Sequence, residues 1–262
     1  MATRLKGKKV SCFAPRGQGG AWAEYLLTDA TYCVPVGDSI DLQQASMALI
    51  NPLTALAFIN IVKRDKAPAF LNTAAASALG QMLVRLAKRE GLTLINVVRK
   101  DSQAEVLRAM GADHVLISSE KGFAQKLGKL TQQLNATLFF DAVGGSLLGK
   151  ILLAAPHGTT ILSYGRLANE LSLIEPGALI LQKKSIIGFF LSDWMEKRTL
   201  IQLLGDIRKM KSLLTSDVYT PIKHRVPLEK ANEAIENYKA EMTGGKTLLV
   251  PSLEQEHPPI TP

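Results

Sequence analysis

Cysteine is scarce in this chain: its 262 residues include only Cys12 and Cys33. Two thiols cannot staple a small disulfide-built domain, and their scarcity fits a reducing compartment. Histidine is nearly as rare. His114, His157, His224 and His257 are scattered without the H-E-x-x-H spacing of a metal site, and two cysteines are too few for a four-cysteine zinc centre, so no metal is expected. Long apolar runs are missing too. None approaches the ~18 residues that span a membrane, and the basic start, Met1 to Val10, lacks the apolar core of a secretory signal. A cytoplasmic protein is the expectation. Acidic residues are outnumbered, 23 against 31 Lys+Arg, for a net charge of +8. The surplus falls in short groups, Lys6/Lys8/Lys9, Lys183/Lys184 and Arg208/Lys209/Lys211, which reads as solvated surface rather than a nucleic-acid footprint. What the chain has in quantity is apolar residue, 47%, enough for a packed core in one large or two ordinary domains.

The texture changes near residue 66. Before it, short β-like runs, Val10 to Ala14, Trp22 to Leu27 and Tyr32 to Val36, are divided by Gly, Pro and Asp. Two helices are expected next: Asp41 to Leu49, starting after Asp38 and Ser39, and Pro52 to Val62, with Pro at its first position. From Ala69 onward, apolar β runs alternate with amphipathic helices. The β runs are Ala69 to Ala74, Thr93 to Val98, His114 to Ile117, Thr137 to Asp141, Thr159 to Ser163 and Ser185 to Leu191. Leu79 to Arg89, Ser102 to Met110, Phe123 to Gln132 and Leu147 to Ala154 are the helical patterns between them. Such alternation predicts an α/β fold with a doubly wound parallel sheet of Rossmann type. One long helix is expected from Asp193 to about Leu214, capped by Ser192. The last third returns to β runs, Tyr219 to Val226 and Lys246 to Val250, around a helix at Leu228 to Lys239, and the polar tail from Glu254 to Pro262 is expected to fray.

The most informative stretch is Phe70 to Gly80. A strand, a tight turn of small residues and a helix start present free backbone N–H groups and a positive dipole end, which suits a diphosphate. The dinucleotide pattern G-x-G-x-x-G becomes Ala75-x-Ser77-x-x-Gly80 here. A tightly packed βα turn without a ligand has the same composition. About twenty residues on, the second strand ends in Arg99-Lys100, at the place where an acid selects NAD and a base accepts the phosphate of NADP. A guanidinium grips phosphate through two hydrogen bonds, so the pair points to NADP(H), although it equally describes a basic strand end in solvent.

The run Asn72 to Arg99 resembles the medium-chain dehydrogenase/reductase superfamily, in its zinc-independent branch of quinone oxidoreductases and mitochondrial-type trans-2-enoyl thioester reductases. Further segments agree in order: Gly20 to Tyr25, Asn51 to Ala55, Asp141 to Gly145, Ser163-Tyr164-Gly165 and Gly188 to Trp194. The resemblance implies a Rossmann domain at residues 51–214 and an incomplete, β-rich GroES-like catalytic domain at residues 1–50 with 215–262. It implies cofactor contacts from Asn51 and Thr54 near the nicotinamide and from Ala76, Ser77, Ala78 and Leu79 under the diphosphate. Arg99 and Lys100 would meet the adenosine phosphate, Tyr164, Gly165, Phe189, Phe190 and Leu191 the nicotinamide side, and Lys246 the cofactor from the C-terminal segment. Phe190 and Trp194 would line the substrate pocket.

Bland readings stand beside these: Asn51 as a helix cap, the aromatics as core, Lys246 as surface. The resemblance begins partway through the GroES-like domain, so a shortened protein is expected. The region without a counterpart is where enoyl reductases carry a tyrosine near the thioester, and neither Tyr25 nor Tyr32 has its motif context, so no catalytic residue is assigned. The implied activity is NADPH-dependent hydride transfer to an activated alkene or a quinone. A non-catalytic NADPH-binding or RNA-binding protein of the same fold is the alternative. A homodimer pairing the Ser185–Leu191 strands is the implied assembly.

Overall fold

The structure is a computed structural model, and it describes residues 2–14, 19–240 and 243–251. The chain forms two compact units, residues 1–49 with 220–262, and residues 50–219. The tail expected to fray lies outside the described residues.

The first unit begins with β1 (Val10–Cys12) and β2 (Cys33–Pro35), an antiparallel pair in which Cys12 stands opposite Cys33. Trp22 to Leu27, expected as β, forms no strand. Trp22, Tyr25 and Leu27 are exposed, so their β-favouring side chains lack the buried face that would make a strand worth forming. Helix α1 (Leu42–Ser46) is shorter than expected and starts after Asp41. The side-chain amide of its buried Gln44 imitates a strand: Nε2 donates to the Thr220 carbonyl at 2.9 Å, and Oε1 accepts from the Thr220 N–H at 3.1 Å. That pair joins residues 176 positions apart, which is how a unit split in sequence closes in space.

The second unit opens with α2 (Ile50–Arg64), in which Pro52 is the third residue rather than the first. Its missing N–H still costs nothing there, because the first four helical N–H groups have no intrahelical acceptor. The alternation then runs β3 (Ala69–Asn72), α3 (Ala78–Glu90), β4 (Thr93–Val98), α4 (Asp101–Ala109), β5 (His114–Ile117), α5 (Phe123–Gln133), β6 (Leu138–Asp141), α6 (Gly145–Ala154) and β7 (Thr160–Ser163). A short helix that the sequence pattern did not announce, α7 (Pro176–Ile180), precedes β8 (Ser185–Gly188). The six strands are parallel and ordered β5-β4-β3-β6-β7-β8, with the progression of strand order reversing between β3 and β6. This is the doubly wound order of dinucleotide folds. β3 and β6 are buried at every position, as strands covered on both faces must be.

Alternation along the strands divides the core. Leu71 and Phe139 join Phe123 and Leu127 of α5 and Ile151 and Leu152 of α6. Phe140, one residue on, turns to the other face and stacks on Phe58 of α2 at 4.0 Å between ring centroids. Burying Phe58 stabilises the sheet face by about 1.5–3 kcal/mol. β8 is the terminal strand, and its last two residues are exposed.

The expected long helix is two helices, α8 (Leu191–Glu196) and α9 (Leu200–Leu213). Thr199 separates them: its hydroxyl accepts from the Gln202 N–H and the Gln202 side chain accepts from the Thr199 N–H, a reciprocal cap that starts a new helix. The chain then returns to the first unit through β9 (Ile222–Pro227), α10 (Ala231–Ala240) and β10 (Lys246–Val250), with β9 and β10 parallel. Among the described residues no helix is long and apolar enough to cross a membrane.

Candidate functional site

The loops leaving β3 and β6 lie at the reversal of strand order, where an open α/β sheet leaves a crevice. After β3 the chain passes through Ala74, whose φ of +48° is unusual for a residue with a Cβ. Ser77 then caps α3, its hydroxyl accepting from the Gly80 N–H at 3.2 Å. With that donor used, the N–H groups of Ala78 and Leu79 are first-turn donors without intrahelical acceptors. Ala76 and Leu79 are buried. A Cβ on Gly80 would lie 2.2 Å from the Ala75 carbonyl oxygen, so this one position must be glycine for helix and strand to approach. The Ala75-x-Ser77-x-x-Gly80 stretch is thus a tight strand–turn–helix, as its composition predicts.

A buried hydrogen-bond network ties this loop to the one after β6. The Thr73 hydroxyl donates to Asp141 Oδ1 at 2.7 Å and accepts from the Ala142 N–H at 2.9 Å. The Asp141 carboxylate also accepts from the N–H groups of Val143, at 3.2 Å, and Gly144, at 2.8 Å. From the turn after β7, the Tyr164 hydroxyl donates to Asn72 Oδ1 at 2.9 Å. Burial, and secondarily the charge of Asp141, push the Tyr164 phenol well above its ordinary value, so it remains a neutral donor. Gly165 beside it comes close to the Ala142 backbone, where a Cβ would stand 2.7 Å from the carbonyl oxygen. Asn72 Nδ2 is buried and has no hydrogen-bond partner among the described residues.

Phe58 gathers three of the segments picked out in the sequence. Its ring meets Tyr164 at 4.9 Å and Phe189 at 4.8 Å, both edge-on, and it lies one helical turn beyond the buried Thr54 on the same face of α2. Asn51 is half-buried in the first turn of α2, inside the helix rather than at its cap. Phe189 belongs to this aromatic group, whereas Phe190 is half exposed at the start of α8 and Leu191 is its first residue. Trp194, one turn later, carries the Arg198 guanidinium 4.8 Å above its ring. Arg99 and Lys100 follow β4, which pairs with β3, and are exposed. Their backbone N–H groups both donate to Gln103 Oε1, at 3.0 and 3.3 Å, and the Arg99 carbonyl accepts from the Ser119 hydroxyl at 2.7 Å. Lys246 lies in the other unit, at the first position of β10. There its ammonium donates to the Tyr238 hydroxyl at 2.9 Å.

Nothing in the sequence alone marks Asn72, Phe58 or the Thr73–Asp141 pair as parts of the site. Thr73 and Asp141 both lie inside sequence motifs, but only the strand order shows that they meet. Among the described residues, no three His, Cys, Asp or Glu side chains converge as a metal site would require.

Comparison with known proteins adds a second line. A family model for zinc-binding dehydrogenases matches residues 78–206. The chain is 26% identical over 247 residues to the mitochondrial enoyl-[acyl-carrier-protein] reductase of Arabidopsis thaliana, covering 86% of this chain and 65% of that protein. It is 30% identical over 186 residues to the corresponding Dictyostelium discoideum enzyme, covering 69% of this chain and 51% of that one. The chain therefore spans roughly half to two thirds of the length of these curated relatives. Among solved structures, a Mesorhizobium loti protein assigned as an NADPH:quinone reductase is 35% identical, with a TM-score of 0.83, covering 94% of this chain and 71% of that one. A Bacillus thuringiensis protein assigned to the same activity is 25% identical, with a TM-score of 0.80, covering 95% of this chain and 76% of its own.

Proposed function

The chain belongs to the medium-chain dehydrogenase/reductase superfamily, in its zinc-independent quinone oxidoreductase and enoyl reductase branch, and from that premise we propose that it is an NADPH-dependent reductase of an activated alkene or a quinone. The observation that carries the cofactor is the pairing of β3 with β4, which sets a glycine-dependent helix start beside a strand ending in two exposed cations, Arg99 and Lys100. Backbone donors at Ala78 and Leu79 suit a diphosphate, and a guanidinium with an ammonium suits the additional phosphate that distinguishes NADP(H) from NAD(H).

In this reading Ala76, Ser77, Ala78 and Leu79 underlie the diphosphate. Asn51, Thr54, Tyr164, Gly165, Phe189, Phe190 and Leu191 attend the nicotinamide. NADPH, when bound, supplies the hydride. The residues of the chain orient it and exclude water: the Asn72–Tyr164 hydrogen bond fixes the turn after β7, and the Phe58 group gives that turn an apolar backing. Phe190 and Trp194 are the apolar surface offered to a substrate. Tyr164 is a neutral hydrogen-bond donor to Asn72 in this scheme.

The names of the relatives favour turnover over the alternative of a non-catalytic NADPH-binding or RNA-binding protein, and they support both substrate classes, 2-enoyl thioesters and quinones. The terminal position of β8 supports a homodimer joined through that strand, since an open strand edge invites a partner. The scarcity of cysteine, two in 262 residues, supports a reducing, cytoplasmic location.

The test is NADPH oxidation followed at its absorbance with crotonyl and longer 2-enoyl thioesters and with quinones, beside thermal melts with NADPH and with NADH. A larger stabilisation by NADPH than by NADH, with turnover of one substrate class, is the expected result. Equal stabilisation by the two nucleotides overturns the cofactor assignment, and absence of turnover with both classes overturns the activity.

A further inference from the structure

The only two cysteines in the sequence are direct cross-strand neighbours: Cys12 on β1 is paired with Cys33 on β2. The Val36 N–H donates to the Lys9 carbonyl, which makes 9 and 36 a hydrogen-bonded pair. Counting along the antiparallel register through 10 with 35 and 11 with 34, the pair 12 with 33 is of the non-hydrogen-bonded kind. Such pairs bring Cα atoms to about 4.5 Å with side chains on one face, inside the range a disulfide spans. Both cysteines are free and partly exposed. The neighbouring Phe13 and Tyr32 rings, 4.9 Å apart, hold the two strands together beyond the pair.

We propose that Cys12 and Cys33 are a modification site, a thiol pair that closes reversibly to a cross-strand disulfide by exchange with a low-molecular-weight disulfide of the glutathione class. The Cys12 thiol is pushed up by burial and then by Cys33, with which it shares a hydrogen bond, so Cys12 is the poorer nucleophile. Cys33, whose sulfur otherwise donates to the Asp29 carbonyl at 3.7 Å, attacks first. Its thiolate bonds to one sulfur of the small disulfide, whose S–S bond breaks, and the departing small thiolate takes up the proton that Cys33 gave. The Cys12 sulfur, losing its own proton, then attacks the Cys33 sulfur and displaces the second small thiol. The two cysteines together lose two electrons and two protons, and the small disulfide becomes two thiols.

Closure would cross-link a ribbon of only three residue pairs, which is marginal on its own. It would also tie off the segment between the two cysteines, which carries the exposed Trp22 and Tyr25.

The test equilibrates the full chain with graded ratios of reduced to oxidised glutathione, traps it with acid, and reads free thiols and mass. Native chain losing both thiols together, with no retained glutathione, is the expected result, as is a single glutathione held on Cys33 in C12S. The effective concentration of one thiol at the other should be at least about tenfold higher in the native chain than in guanidinium, where only chain flexibility brings them together. Equal values in the two conditions, retained glutathione on the wild type, or disulfide-linked dimers in place of the internal bond each overturn the proposal.

Discussion

The Thr73 hydroxyl and the Asp141 carboxylate, 68 residues apart in sequence, meet at 2.7 Å in the interior, at the point where the order of strands in the sheet reverses. One belongs to the loop after β3 and the other ends β6. With the N–H groups of Ala142, Val143 and Gly144 they form one buried cluster that fixes both loops. Replacing Thr73 by Val keeps the shape but leaves the Ala142 N–H without its acceptor and removes one donor to Asp141. A buried polar group left without a partner costs about 1–3 kcal/mol, so T73V should lose that much in chemical denaturation. Asp141→Asn, which turns an acceptor toward existing donors as an amide N–H, should lose at least as much. If neither variant moves the unfolding midpoint, the cluster does not order these loops.

Two glycines in helices give opposite expectations for the same substitution. Gly80→Ala puts a methyl 2.2 Å from the Ala75 carbonyl oxygen, 2.5 Å from its carbon and 2.6 Å from its Cα. Backbone cannot yield as a side-chain tip would, so G80A should be strongly destabilising despite the better helix propensity of alanine. Gly205, in α9, has open space where its Cβ would go. There G205A should gain up to about 1 kcal/mol from propensity alone. Thermal melts of the two variants beside the wild type check both signs.

Arg99 and Lys100 are the residues on which nucleotide choice turns. Hydrogen bonds to charged groups contribute roughly 1.5–3 kcal/mol each, so R99A should weaken NADPH binding by about tenfold to a hundredfold and leave NADH binding little changed. K100A should act in the same direction but less, because its ammonium is a point charge without the planar fork. Calorimetric titration with both nucleotides reads the difference, and an equal loss for NADPH and NADH in R99A would remove that residue from the phosphate.

Where the sequence was legible, one local signal was sufficient. Thr93–Val98 is a β-favouring run of Thr, Leu, Ile and Val interrupted only by Asn96, and β4 has those bounds; the restriction at Gly80 follows from strand, turn and helix meeting within ten residues. It failed where the deciding partner was distant or a second local signal was passed over. Trp22 to Leu27 has β-favouring side chains, but no strand pairs with it. The break between α8 and α9 is marked by Thr199 and Gln202, a capping box that could have been read, yet the helical pattern of Asp193–Leu214 ran across it. Tyr164 was singled out by its motif, but its partner Asn72 is 92 residues away and became visible only with the strand order.

Glu90, near the end of α3, accepts from Lys63 of α2 and, at 2.6 Å, from Lys209 of α9, so one carboxylate holds three helices of the same unit. The hydrogen bond from Lys209, then that from Lys63, lowers its pKa from 4.5 to about 2. A carboxylate whose pKa is depressed by folding contributes stability that is present in full above its unfolded value, and the contribution fades as pH falls toward the folded value. The difference in unfolding free energy between wild type and Glu90→Gln should therefore be largest above about pH 5 and shrink as pH falls through the acid range toward 2. Because both ammonium groups are partly exposed, the plateau should be modest, about 1 kcal/mol. Urea unfolding of the two proteins at several pH values measures the difference, and one that stays constant from neutral pH down to pH 3 would mean that the three-helix contact rests on packing rather than on the charge of Glu90.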